Sequence, residues 1–243
     1  MAADIVPLKG AIANLNWFDA QRKHYETPDQ IARRFRLPDD AGMRAFCQGA
    51  ASVLDRHTVQ FVRRLPLTAD GAWSYLAEPE RVEQWLPGAR WGLEKGAGCS
   101  LPLAGTEGKV ADLEPRQRLK LEADTGAWTQ FELHDASGSA RARRDIPNYQ
   151  GPITEIQLID CLPPDAEVPQ PLPDATAEHV AQPGGVGTHW VSQVADWHHA
   201  ATLLQKLAFA NSNAYWPPEL AVGLDHTALI AAYAKLLAAY HGG

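Results

Sequence analysis

Cysteine is scarce in this chain, long apolar runs are absent, and there is no surplus of positive charge. The three cysteines, Cys47, Cys99 and Cys161, stand at wide, irregular spacing. They form neither a zinc framework nor a disulfide lattice, so a reducing compartment is the default. No window of about 18 apolar residues occurs, which excludes a spanning helix and a membrane partner of that kind. Residues 1–25 lack the basic start and apolar run of a signal peptide, so a cytoplasmic protein is expected. Lys and Arg number 22 against 29 Asp and Glu, a net charge of −7. That balance argues against nucleic acid, whose phosphates need clustered cations. The local basic runs Arg116–Lys120 and Arg141–Arg144 read as solvated strand end and loop. What is present, 45% hydrophobic and 21% charged residues in 243, can bury a real core. The length suits one domain with extensions, or at most two small domains.

Residues 1–56 read as a helical N-terminal extension. Thr27-Pro28-Asp29-Gln30 has the form of a capping box with proline at the first helical position, predicting a helix to about Arg36. Asp39-Asp40 opens a second, on which Met43, Phe46, Cys47, Ala50, Val53 and Leu54 recur at three and four. From residue 58 the period becomes two, with Val59, Phe61 and Leu65 on one face. Arg63 shares that apolar face, so it sits at a strand end or points inward. Two short helices follow, Thr68–Leu76 and Pro79–Leu86, the second stopped by Pro87-Gly88.

Strand signals then recur at Arg90–Leu93, Cys99–Leu103, Gly108–Leu113, Arg118–Ala123 and Trp128–His134, the pattern of an antiparallel meander. An insertion at about 135–187 contains one strand, Ile153–Cys161, and a proline-rich stretch that is either linker or lid. Thr188–Val194 reads as a further strand. Asp196 is placed to cap a closing helix bearing Trp197, Ala200, Leu204, Leu207 and Ala208. Residues 212–243 read as a loop and a last helix capped by Asp225, with Leu229, Tyr233, Leu236, Leu237 and Tyr240 on one face.

This order resembles the SRPBCC superfamily, also called START or Bet v 1-like, and within it the group similar to the C-terminal domain of the Hsp90 ATPase activator. The residues that bear the resemblance are Arg63, Trp73, Pro79 to Trp85-Leu86-Pro87, Gly98, Gly108-Lys-Val, Glu114-Pro115, Leu119, Gly187-Thr188 and Trp197. It covers about Thr58–Ala210 and departs from the group in its proline-rich insertion and in the short connection before Trp197. The resemblance implies an α+β helix-grip domain at 57–211, a curved antiparallel sheet wrapped around a long helix with an apolar cavity. It implies a ligand that is small and apolar, and chemistry, where there is any, without a cofactor.

The residues themselves offer little metal or nucleophile chemistry. Nine histidines are present, but His198 and His199 are adjacent, so on a helix their side chains diverge by about 100°. No His-Glu-x-x-His, paired Cys-x-x-Cys, serine elbow or dinucleotide fingerprint occurs. No metal and no cofactor is expected. Arg63, His189 and His198 are the candidate catalytic residues. A cation on an apolar strand face needs an anionic partner, either a ligand carboxylate or phenolate or an acid such as Glu78 or Glu83. The histidines titrate near neutral pH, whereas His134, opposite Phe131 and Leu133, is expected in solvent. Eight tryptophans are many for this length. Trp85, Trp91, Trp190, Trp197 and Tyr75 are candidate ligand-binding walls, the alternative for each being ordinary core packing. Trp73 is expected to be structural and Trp85 to stand at the cavity rim.

The function expected is therefore retention of a small, aromatic molecule in an internal cavity, with cofactor-free acid/base chemistry of a lyase, cyclase or hydrolase type. The alternative is a protein-interaction module resembling the Hsp90 co-chaperone domain. A site built by the extensions is a third reading, and a homodimer is left open.

Overall fold

The computed structural model describes residues 51–104, 106–163, 166 and 186–215, with residues 229, 230, 233, 234 and 237 of a C-terminal helix. The two helices predicted within residues 1–50 and most of the proline-rich stretch lie outside the described residues. Eight strands form one antiparallel sheet: β1 (Ala51–Asp55), β2 (Thr58–Leu65), β3 (Arg90–Trp91), β4 (Gly98–Leu101), β5 (Thr106–Glu114), β6 (Arg118–Ala123), β7 (Trp128–Asp135) and β8 (Thr154–Cys161). Their order across the sheet is β1-β2-β8-β7-β6-β5-β4-β3, so the late strand β8 closes against the early strand β2. Helices α1 (Ala69–Ala77) and α2 (Pro79–Trp85) follow β2, α3 (Ala140–Asp145) lies between β7 and β8, and α4 (Val186–Ala210) closes the domain. A curved sheet around a long helix is a helix-grip-like α+β fold, as the sequence predicts.

Alternation sets which side of each strand is covered. Along β2 residues 59, 61, 63 and 65 are buried, and along β8 residues 154, 156, 158 and 160 are. The two strands run in continuous register, Phe61 opposite Leu158 and Arg63 opposite Ile156, so the buried residues make one apolar face.

Two expectations are corrected. Val53 and Leu54 belong to β1, not to a helix: Ala51 pairs with Phe61 and Val53 with Val59 across a turn in which the Asp55 side chain accepts from the His57 N–H at 2.8 Å. Two short apolar spacings fit either period there, and the ladder with β2 decides. Thr188–Val194 is not a strand but the first turns of α4. Buried Trp190, Val194, Trp197, Ala201, Leu204 and Ala208 recur at three and four without a break, and no proline or glycine interrupts them. Asp196 therefore lies inside the helix, not at its N-terminal cap.

Glycine is required where backbones approach. A Cβ at Gly108 would meet the Glu122 carbonyl oxygen at 2.1 Å, where β5 crosses close to β6. Gly108→Ala is expected to cost about 3 kcal/mol or more by forcing the two strands apart, measurable as a lowered denaturation midpoint. Gly88, at φ +77°, ends α2 in the left-handed region, in line with the predicted Pro-Gly stop.

Beyond β7 the insertion folds on a small core of its own, in which Ala142, Ile146 and Ile153 pack on Phe209 of α4. Arg143 organises it, donating to the carbonyls of Ser137 (2.9 Å), Tyr149 (2.6 Å) and Gly151 (3.0 Å). Arg143→Ala should therefore cost about 2 kcal/mol in chemical denaturation, because three carbonyls lose a charged donor together.

Candidate functional site

Among the described residues, Asp, Arg and His side chains are buried on or against the covered face of the sheet at two places. At the first, Asp160 stands on β8 in line with Ile156 and Leu158 and is 1% exposed. Thr129 Oγ1, on the neighbouring strand β7, donates to its Oδ1 at 2.7 Å. Gln193 Nε2, on α4, donates to Oδ2 at 2.7 Å. The Trp197 indole N–H falls outside hydrogen-bond geometry with any acceptor, yet it lies close enough to favour the charged carboxylate. Burial outweighs these donors and pushes the Asp160 carboxyl up to about 6. Sheet and closing helix are thus joined through one titratable group that burial makes costly to ionise.

The second place lies between β2, α4 and the C-terminal helix. His198 Nδ1 and the Tyr233 hydroxyl are 2.6 Å apart, sharing a hydrogen bond whose donor depends on the imidazole tautomer. Both rings pack edge-on against Phe61, at 6.2 and 6.4 Å between centroids. Arg63 is 7% exposed. Its NH1 donates to the Val62 carbonyl at 3.0 Å and its guanidinium lies 5.9 Å from the Phe61 ring centre. Burial lowers the Arg63 pKa, partly offset by nearby Tyr233. Burial first, then Arg63 and His199, holds His198 well below the ordinary histidine value, so it is neutral at pH 7. Tyr233→Phe should cost about 1–2 kcal/mol, since a buried ring nitrogen loses its bond; a denaturation curve at pH 7 checks this.

Of the expected catalytic residues, Arg63 and His198 are brought into one neighbourhood, while the side chain of His189 lies outside the described residues. Neither acid proposed as the rival partner of Arg63 takes that role: Glu78 pairs with Arg81 at 2.8 Å, and Glu83 accepts from the Gly88 N–H at 2.9 Å. His134 is half exposed beside Glu132, as expected.

The expected walls are placed unevenly. Trp85, Trp91 and Trp197 surround Phe131, with ring centres at 5.9, 6.1 and 6.2 Å. The Trp85 indole donates to the Tyr75 carbonyl (2.9 Å) and that of Trp91 to the Leu76 carbonyl (2.8 Å). Trp85 is therefore not at a rim: it is buried and ties α1 to α2, while Trp73, expected to be structural, is half-buried and packs against the core. The Tyr75 hydroxyl accepts from Asn211 at 2.8 Å and anchors α1 to the end of α4. Trp128 turns to the other face of the sheet, with the Lys120 ammonium 4.3 Å from its ring centre. Trp190 is buried on α4, and its indole N–H has no acceptor among the described residues.

Asp160 is the residue the sequence reading passes over. The signal was available: period-two alternation puts it on the same face as Ile156 and Leu158, as it puts Arg63 beside Phe61. Among the described residues no group of three or more His, Cys, Asp or Glu could hold a metal ion, and no helix is long and apolar enough to cross a membrane.

The fold and its enclosed charges define a helix-grip-like α+β protein with ionisable groups between sheet and helix. No family model matches the chain, and no curated protein matches it. Solved structures do. EF2215 from Enterococcus faecalis, a conserved protein of unknown function, aligns over 83% of this chain and 98% of its own at 14% identity and a TM-score of 0.51. CalU16 from Micromonospora echinospora aligns over 75% and 87% at 16% identity, TM-score 0.43. DynU16, from the dynemicin biosynthetic locus, aligns over 65% and 49% at 17% identity, TM-score 0.40. The likeness to EF2215 supports the fold and assigns no activity.

Proposed function

We propose that this protein holds a small, largely apolar, aromatic molecule between the sheet and α4. Asp160 and His198 are the groups available for proton transfer to it, and Arg63 is the cation that orients an anionic substituent. Cofactor-free acid/base chemistry of a lyase, cyclase or hydrolase type suits such a set. The observation that carries this reading is that Arg63 and Asp160 on the inner face of the sheet and His198 on α4, all ionisable, are buried, where a purely structural core would be cheaper with apolar residues. Aromatic rings nearby, Phe61, Trp190 and Trp197, favour a flat partner.

Titrating the protein with 2-naphthol, 2-naphthoate and 2-methylnaphthalene while following tryptophan emission tests it. A saturable change with at least one probe is expected. Binding of the anionic 2-naphthoate should weaken in Arg63→Gln. No saturable change with any of the three would overturn the reading. The densely packed rings around Phe131 would then favour a solid core and the protein-interaction alternative, whose own signature is specific stimulation of a chaperone ATPase.

A further inference from the structure

Three residues of α4 fall on one stripe: Trp190, Gln193 one turn on, and Trp197 a turn beyond. Gln193 and Trp197 address Asp160, as described. Trp190 is 3% exposed, and its indole N–H meets no acceptor among the described residues. A buried N–H without an acceptor is uncommon and costs as much as a lost hydrogen bond. Asp160 has the complementary surplus. Each carboxylate oxygen offers two lone pairs, and Thr129 and Gln193 occupy one on each. The stripe therefore holds an unsatisfied donor, and the strand beneath it holds unused acceptor capacity.

We propose that this stripe of α4, with Asp160 and Thr129 beneath it, is the polar end of the ligand site, and that it selects flat aromatic molecules bearing a hydroxyl group. An aromatic hydroxyl serves both groups, its oxygen giving the Trp190 indole the acceptor it lacks and its proton taking a spare lone pair of the Asp160 carboxylate. The Trp190 and Trp197 rings flank the aromatic body. A hydrocarbon of the same shape would leave the Trp190 N–H unsatisfied and the spare Asp160 lone pairs unused, and such sites discriminate by hydrogen bonding more sharply than by fit. The inference rests on the reading that the interior takes an aromatic molecule, and it narrows that reading to a substituent and to two named residues.

The matched probes 2-naphthol and 2-methylnaphthalene separate the two. The native protein is expected to bind 2-naphthol about tenfold or more tightly than 2-methylnaphthalene, the return of one charged hydrogen bond. In Trp190→Phe and in Asp160→Asn that preference should shrink to within about twofold. In 15N spectra of the native protein, the indole resonance assigned to Trp190 by its loss in Trp190→Phe should move with 2-naphthol and stay with the hydrocarbon. Through-bond assignment of the native protein identifies the same peak without the variant, so the measurement stands even if Trp190→Phe folds poorly. Equal affinity for the two probes, a preference that survives both substitutions, or a Trp190 resonance unmoved by bound 2-naphthol would overturn the inference while leaving the broader reading intact. If 2-naphthoate alone binds, this inference fails and the broader reading stands; if none of the three naphthalene probes binds, both fail.

Discussion

Replacing Asp160 with asparagine is expected to stabilise the protein at pH 7 by up to about 3 kcal/mol, the free energy that corresponds to raising a carboxyl from 3.8 to about 6. Asparagine keeps the shape, accepts from Thr129 through its carbonyl, and donates to Gln193 once that amide turns over, so both existing contacts survive. The sign follows from linkage. The folded pKa lies above the unfolded one, so between about pH 4 and 6 the native state binds more protons than the unfolded state. This group's favourable contribution is complete below the unfolded value and is lost as pH rises through about 6. Below pH 4 the difference between native protein and variant should therefore be small; it should grow to about pH 6 and then stay level. Thr129, Gln193 and Trp197 face the carboxyl without charge, so this window belongs to Asp160 itself.

His198 acts in the opposite direction. Its folded pKa lies well below 6.5, so its contribution is present above the unfolded value and fades as pH falls below about 6.5. Only the difference between native protein and Asp160→Asn isolates the carboxyl. Chemical denaturation of both at unit steps from pH 4 to 8 provides it. A difference that is constant with pH, or a variant less stable at pH 7, would contradict the account. A substitution that stabilises the fold while removing the preference for 2-naphthol would place Asp160 among residues kept for binding at a cost in stability.

The second large effect is expected at Phe131. Its ring is the hub of the interior, meeting Trp85 and Trp197 edge-on and Trp91 at a tilt. Phe131→Ala removes those contacts and leaves a cavity bounded by rigid indoles, two of which are pinned through their N–H groups. Collapse around it is therefore limited, and the loss should reach about 4 kcal/mol or more. Phe131→Leu, which refills much of the volume, should cost about half as much. Denaturation midpoints give the energies, and near-UV circular dichroism should show the indole bands flattening in the alanine variant. A loss under about 1 kcal/mol for alanine would mean that the rings repack freely and that the interior is looser than this geometry implies.

The periods of the chain were enough to lay out β2, β6, β7 and β8 and the two short helices, because which side of a strand or helix is covered depends on neighbours a few residues away. They also put Arg63 on a buried face. They misled where two periods fit one short stretch. Val53 and Leu54 satisfied a helical spacing that pairing with β2 overrode, and Thr188–Val194 read as a strand that the continuous stripe of α4 overrode. Trp85 was misplaced for a related reason: the end of a short helix says nothing of what covers it, and here Tyr75 and Phe131 do.

What the sequence determined by itself was composition, element types over long periodic stretches and the presence of charge on apolar faces, all of them properties of local spacing. Only the tertiary structure decided which charges meet. Asp160 finds Gln193 33 residues away, and His198 finds Tyr233 35 residues away. Those meetings depend on the order of strands in the sheet and on where α4 lies across it. Neither is written in any single segment, because both follow from burying all the apolar faces at once.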